Sequence, residues 1–149
     1  MTEERIINIL LVEDSEVDVK ITLRAFRNTL PATNVLVAND GIEALEFLRN
    51  EGRFAELEKY PKPDVILMDI NMPKLNGFDA LRKLKEDGQL RSIPVIMLTS
   101  SNNEQDVAMS YSGGAAGYIQ KPVNYGDFCE VVKKFNDYWG SIIELPKQR

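Results

Sequence analysis

Residues 67–77 read LMDINMPKLNG and join the end of an apolar run to the start of a new helical pattern. The apolar run stops at a single carboxylate, Asp69, and the chain then turns through Met72 and Pro73 to Gly77. A charged group at the end of a buried strand is costly unless other groups pair with it. The position of Asp69 therefore raises the question of what its carboxylate faces.

Short runs rich in β-branched residues recur five times, and each is followed by a segment of helical periodicity. We predict strands at 7–12, 34–38, 64–69, 94–99 and 117–120. The first four runs barely alternate, which is typical of parallel strands covered by helices on both faces. The fifth run is shorter and more polar, as in an edge strand. The pattern predicts an α/β fold with a doubly wound, five-stranded parallel sheet and helices on both faces.

Capping side chains indicate where the helices begin. The predicted N-caps are Ser15, Asp40, Ser101 and Asn124. Asp40 and Ser101 each stand three residues before a glutamate, as in a capping box. Gly88 and the pair Gly113–Gly114 suit helix ends. The stretch 50–63 is predicted to be an enlarged loop before the third strand.

Composition limits the partners and the location. The 149 residues are 44% hydrophobic and carry a formal net charge of -5, which fits one domain spanning 1–149. The acidic balance argues against nucleic acid as a partner. No apolar run is long enough to span a bilayer, and the N-terminus lacks a signal-peptide pattern. We expect a cytoplasmic protein with no membrane partner.

The missing residue types exclude several chemistries. The chain has no histidine and one cysteine, Cys129. It therefore cannot form a Ser-His or Cys-His dyad or an internal disulfide, and a zinc site is not expected.

Polar side chains follow four of the predicted strands. Glu13 and Asp14 follow the first strand, Asp69 ends the third, Thr99 ends the fourth and Lys121 follows the fifth. Because ligands of a doubly wound sheet bind outside the carboxyl ends of its strands, we expect these groups to meet in one crevice.

The charges of this crevice indicate its chemistry. Two carboxylates about 4 Å apart repel by roughly 4 kcal/mol at an effective dielectric near 20, and a divalent cation relieves that repulsion. Oxygen ligands without histidine or cysteine favour Mg²⁺. A carboxylate beside Mg²⁺, a lysine and a hydroxyl can accept a phosphoryl group as an acyl phosphate. Asp69 is the predicted nucleophile.

The crevice residues lie in four segments, LLVEDS (10–15), ILMDINMPKLNG (66–77), VIMLTS (95–100) and GYIQKP (117–122). In this order and spacing the segments resemble the receiver domain of two-component response regulators. The resemblance implies a core at about 6–139, followed by a C-terminal helix extension and tail at 140–149. The resemblance implies a flavodoxin-like fold with strand order 2-1-3-4-5. The long loop and the extended C-terminus are similar to those of the small single-domain regulators that partner cyanobacterial phytochrome kinases.

The resemblance also implies ligands for the metal. Asp69 is then the phosphoacceptor, and Glu13 and Asp14 support Mg²⁺. The backbone carbonyl of Asn71 completes the protein ligands. Glu13 stands where the family often has an aspartate, and the longer acid can act through metal-bound water.

A signalling function follows from the same likeness. The phosphodonor is then a sensor histidine kinase or a phosphotransfer protein, and Thr99 and Lys121 hold the phosphoryl oxygens. Thr99 and Tyr118 form the switch, which changes the surface of the fourth helix, fifth strand and fifth helix. The predicted apolar stripe of the last helix continues through Tyr138, Trp139 and Ile142, so we expect a two-fold homodimer through this surface.

Two other function classes remain open at this point. Haloacid-dehalogenase-like phosphatases also use an Mg²⁺-bound aspartyl phosphate on a similar sheet, but their nucleophile ends the first strand as Asp-x-Asp. Here the acid pair comes first and Asp69 lies in the sequence Asp-Ile-Asn. A receiver-like scaffold that is inactive in phosphorylation is the second alternative.

Overall fold

The computed structural model describes residues 6–30, 33–100 and 103–137. Across these ranges five strands alternate with five α-helices. In chain order the elements are β1 Asn8–Val12, α1 Glu16–Thr29, β2 Asn34–Ala38, α2 Gly41–Leu48, β3 Val65–Met68, α3 Gly77–Glu86, β4 Val95–Thr99, α4 Glu104–Ser112, β5 Gly117–Gln120 and α5 Tyr125–Asn136. The predicted alternation of strands and helices is confirmed.

The strands form one parallel sheet in the order β2-β1-β3-β4-β5. β1 lies between β2 and β3, and Val12 is in register with both Ala38 and Met68. β1, β3 and β4 occupy the centre, which explains why their sequences are apolar without alternation. β5 is an edge strand as predicted; β2 is the other edge, and its first four residues are exposed or half-buried.

The core lies in two layers, one on each face of the sheet. Alternate residues of β1 and β3 face opposite layers. Leu10 and Ile66 pack with α2 and α3, whereas Leu11 and Leu67 pack with α1 and α5. The sheet is thus covered on both sides, and its carboxyl edge stays open for polar groups.

The stretch 50–63 is more ordered than the predicted loop. It contains a 3-10 helix, Gly52–Phe54. Phe54 and Tyr60 pack against Phe47 of α2, with ring centroids 5.0 to 5.7 Å apart within this group of three. The stretch is therefore anchored to the core layer of α2 by aromatic contacts.

Three of the four predicted helix caps are confirmed. The side chains of Ser15, Asp40 and Asn124 each accept a hydrogen bond from an amide three residues later. The prediction of Ser101 as the cap of α4 is wrong. Asn103 is the N-cap, and its side chain accepts from the amide of Gln105 at 2.7 Å. An asparagine immediately before the first helical residue thus satisfies one of the free amides of the first turn.

The last described turn of α5 ends with Asn136, and Asp137 is its C-cap. The predicted apolar stripe through Tyr138, Trp139 and Ile142 lies outside the described residues, as does Ser101. Within the described ranges, no helix is long and apolar enough to cross a bilayer.

The connection from β3 to α3 is held close to the sheet by Gly77. The Gly77 amide donates to the carbonyl of Ile70 at 2.8 Å. A Cβ atom on Gly77 would lie 2.2 Å from the carbonyl oxygen of Asp69 and 2.8 Å from Cα of Ile70. Only glycine permits this approach, and the approach fixes the backbone that carries Asp69.

We expect Gly77→Ala to destabilise the protein by about 3 kcal/mol, because the new methyl group must displace the backbone. Gly88→Ala is the matched control, since a Cβ there meets no atom within 4 Å. The control is expected to change the free energy of unfolding by no more than about 1 kcal/mol. Urea unfolding of both variants measures the difference, and equal midpoints would contradict the packing described for Gly77.

Candidate functional site

Three carboxylates meet at the carboxyl edge of β1 and β3. Glu13 and Asp14 follow β1, Asp69 follows β3, and one carboxylate oxygen from each lies within 4.8 Å of the others. Glu13 is 2% exposed and Asp69 is 9% exposed, whereas Asp14 is exposed to solvent. The parallel pairing of β1 with β3 places Glu13 and Asp69 one residue beyond a register pair and so brings them together. The predicted grouping of the three acids is present.

Hydrogen bonds to nearby backbone amides hold the two buried acids. One oxygen of Asp69, Oδ1, accepts from the amide of Ile70 at 2.8 Å. The Oε1 atom of Glu13 accepts from the amide of Ser15 at 3.0 Å. Each acid therefore has one oxygen held locally and a second oxygen that can interact across the crevice.

Lys121 supplies positive charge to the crevice. Its Nζ atom donates to Oε2 of Glu13, lies 3.0 Å from Oδ2 of Asp18 and lies 3.9 Å from Oδ2 of Asp69. The Lys121 amide donates to the carbonyl of Thr99 at 2.7 Å, so the backbone before this side chain is tied to the end of β4. Lys121 is thus positioned by the sheet itself.

Burial and pairing shift the pKa values of the two innermost groups. Burial raises the pKa of Glu13 above its ordinary value, although the hydrogen bond from Lys121 opposes the rise and the charge of Asp69 adds to it. Burial lowers the pKa of Lys121, but its hydrogen bond to Glu13 and the charge of Asp69 outweigh burial and the pKa is raised. Lys121 is therefore a stable cation that partly offsets the acids.

Thr99 ends β4 at the same edge of the sheet. Its side chain is fully buried, and its Oγ1 atom has no hydrogen-bond partner among the residues that the structure describes. A buried hydroxyl without a partner is uncommon, because its lost hydrogen bonds to water are not replaced. Such a hydroxyl suits an additional oxygen atom as a partner.

The remaining predicted residues lie farther out. Tyr118 of β5 is half-buried and packs against the core layer that contains Met97, its register partner on β4. Asn71 is exposed in the connection between β3 and α3. The predicted roles of the Asn71 carbonyl and of Tyr118 remain predictions.

Asp18 is a member of the site that the sequence did not indicate. It lies in the first turn of α1, and its carboxylate pairs with Lys121 across a separation of 103 residues. In the sequence it stands three residues after the cap Ser15, where an acid stabilises the start of a helix. An acid at this position is therefore expected whether or not it contacts the crevice, so the sequence does not reveal the contact.

The crevice fits a hard divalent cation. Three carboxylates can each supply an oxygen, and in the described residues they outnumber the one ammonium group that pairs with them. Oxygen ligands, with water completing the shell, are the preference of Mg²⁺. The buried Thr99 hydroxyl and Lys121 lie at the same edge and can interact with an anion brought to the metal.

The sheet and its acidic edge define a phosphoaccepting signalling domain. Residues 9–133 match the family described as the response regulator receiver domain, and the chain belongs to this family. Receiver domains are phosphoacceptors rather than conventional enzymes, bind Mg²⁺ at this acidic pocket, and interact with histidine kinases or phosphotransfer proteins. The haloacid-dehalogenase-like alternative receives no support from the comparisons.

Particular relatives agree with this assignment. The chain is 35% identical to the response regulator Rcp1 of Synechocystis sp. over 138 residues, which are 93% of this chain and 92% of Rcp1. The phosphorylated cyanobacterial phytochrome response regulator RcpA superimposes with a TM-score of 0.87 at 36% identity, covering 96% of this chain and 100% of RcpA. The Mn²⁺-bound form of Rcp1 superimposes with a TM-score of 0.82 at 33% identity, covering 95% and 99% of the two chains. The predicted flavodoxin-like order of strands is confirmed.

Mg²⁺ is expected to stabilise the folded protein, because it relieves repulsion among the three acids only when they are brought together. At a free concentration ten times its dissociation constant the gain is about 1.4 kcal/mol. Calorimetric melting with and without millimolar Mg²⁺ measures this shift.

Asp14→Asn should reduce the stabilisation by Mg²⁺, since it removes one charged ligand at an exposed position. Glu16→Gln removes a nearby exposed acid outside the cluster and should leave the shift intact. A wild-type midpoint that does not respond to Mg²⁺, or an undiminished response in Asp14→Asn, would contradict the predicted metal site.

Proposed function

We propose that this protein is a single-domain response regulator in which Asp69 is the phosphoacceptor and Glu13, Asp14 and Asp69 hold Mg²⁺, with the carbonyl of Asn71 as a further ligand. The observation that carries the proposal is the position of Lys121, whose ammonium pairs with both Glu13 and Asp69. One cation thus pairs with a proposed metal ligand, Glu13, and with the proposed phosphoacceptor, Asp69.

The proposed reaction transfers a phosphoryl group from a phosphohistidine to Asp69. A carboxylate oxygen of Asp69 attacks the phosphorus of a phosphohistidine, the P–N bond breaks, and the imidazole leaves while an acyl phosphate forms. Bound Mg²⁺ supplies positive charge toward the phosphoryl oxygens. Lys121 supplies a second positive charge, and the Thr99 hydroxyl donates to a phosphoryl oxygen.

The names of two relatives support these assignments. RcpA is described in a phosphorylated form, and Rcp1 in an Mn²⁺-bound form. Both are similar to this chain over nearly its whole length. The same chemistry at Asp69 is the simplest function for the crevice.

We propose that the phosphodonor is a sensor histidine kinase or phosphotransfer protein that docks beside the crevice. Apolar side chains are exposed there on two sides, with Val17 67% and Ile21 38% exposed on α1 and Val123 fully exposed before α5. A groove of about 410 Å³ runs between Ile21 and Val123 and reaches Lys121. A histidine kinase draws its phosphoryl group from cytoplasmic ATP, so the proposal carries a cytoplasmic location with it.

The signal is proposed to leave through α4, β5 and α5. When Thr99 moves toward the phosphoryl group, Tyr118 takes a new position and the exposed Tyr111 nearby is repacked. A groove of about 550 Å³ on this face is lined by Tyr111, Tyr118 and Phe135, among others. A second copy of the chain is the proposed occupant, aided by the predicted apolar residues beyond Asp137.

Asp69→Asn is expected to abolish Mg²⁺-dependent uptake of alkali-labile phosphate from acetyl phosphate, because the amide cannot form the acyl phosphate. Asp127→Asn removes an exposed acid from the first turn of α5 and should phosphorylate at the wild-type rate. Radiolabel incorporation measures both. Normal uptake by Asp69→Asn would refute the assignment, and no uptake by the wild type would favour the phosphorylation-inactive scaffold.

The full chain is expected to sediment as a dimer at tens of micromolar, and a version truncated after Asp137 as a monomer, because truncation removes apolar residues from the proposed interface. Each is measured with and without beryllium fluoride as a phosphoryl mimic. If all four samples are monomers, the dimer proposal fails.

A further inference from the structure

The Lys121 ammonium is shared among three carboxylates at unequal distances. It donates to Glu13 and to Asp18, the latter at 3.0 Å. Oδ2 of Asp69 lies 3.9 Å away, which is within range of an ion pair but beyond a hydrogen bond. Two of the three N–H groups of Lys121 therefore point to acids other than the proposed phosphoacceptor.

Asp18 differs from the other two carboxylates in its position. It lies outside the group of acids that fits a metal, and its side chain is 41% exposed. Its backbone is held at the start of α1, where the Asp18 amide donates to the Ser15 hydroxyl at 3.3 Å. The carboxylate that pulls on Lys121 is thus anchored to a helix end and not to the metal cluster.

We propose that Asp18 is a positioning residue that restrains Lys121 and thereby limits how readily the ammonium reaches a phosphoryl group on Asp69. The proposal rests on the proposed role of Asp69. A phosphoryl group on Asp69 brings new oxygen acceptors toward Lys121, and the Asp18 carboxylate, 3.0 Å from the ammonium, competes with them for its positive charge. Glu13 is buried beside Asp69 and does not draw the ammonium away from the reacting carboxylate.

Loss of the Asp18 charge should therefore speed the transfer. Asp18→Asn keeps the size of the side chain and removes its charge. We expect it to raise the rate of phosphorylation of Asp69 by acetyl phosphate about two- to fivefold, the scale of one partly exposed ion pair. Asp18→Glu keeps a carboxylate and should remain closer to the wild-type rate.

Glu16→Gln is the matched control. Glu16 is an exposed acid in the same first turn of α1, so its loss changes the net charge and the helix end in the same way. Its rate should equal that of the wild type. Equal acceleration by Glu16→Gln and Asp18→Asn would overturn the proposal, because general electrostatics would then explain both.

A double-mutant cycle tests whether the effect passes through Lys121. In a Lys121→Met background, Asp18→Asn should change the slow residual rate by less than about 1.5-fold, since the restrained ammonium is gone. The same acceleration in both backgrounds would overturn the proposal, as would a slower rate in Asp18→Asn alone.

Failure of this inference can be told from failure of the proposed function. Phosphate uptake that persists in Asp69→Asn, or no uptake at all, refutes Asp69 as acceptor. Uptake that depends on Asp69 but is unchanged by Asp18→Asn refutes only the role of Asp18. Thermal melting of each variant shows that the rates are compared between folded proteins.

Discussion

The chemistry of this protein depends on one constraint: the sheet holds carboxylates close together although they repel one another. β1 and β3 are neighbours and parallel, so Glu13 and Asp69 end at the same level and cannot separate without breaking the sheet. Lys121 offsets part of their charge from the end of β5. The remaining negative charge favours the binding of a metal cation, and the central position of the two strands holds the carboxylates rigidly.

The fold could be predicted in most of its parts because the signals are local. Unalternating apolar runs identified the central strands, and single side chains such as Asp40 and Asn124 identified helix starts. The cap of α4 was misassigned because Ser101 and Asn103 both have capping side chains, and sequence spacing favoured the one that forms a capping box. The stretch 50–63 was predicted as a loop because Phe54 and Tyr60 are separated by polar residues with no regular period.

The site could be predicted as far as topology determines it. The rule that strand ends share one edge brought Glu13, Asp14, Asp69 and Lys121 together from three distant segments. Asp18 was missed because its contact with Lys121 spans 103 residues. An acid in the first turn of α1 is also expected simply because it stabilises the helix start. That the Thr99 hydroxyl has no partner among the described residues could not be predicted either, since this depends on every atom packed around it.

Among the described residues, the buried Thr99 hydroxyl has no hydrogen-bond partner. A buried polar group without a hydrogen bond costs about 1–3 kcal/mol, and a new oxygen within its reach returns that free energy. If only one of two competing conformations gains this 1–3 kcal/mol, the ratio of their populations changes by about 5- to 150-fold. An oxygen atom that reaches the Thr99 hydroxyl therefore favours whichever conformation forms this hydrogen bond.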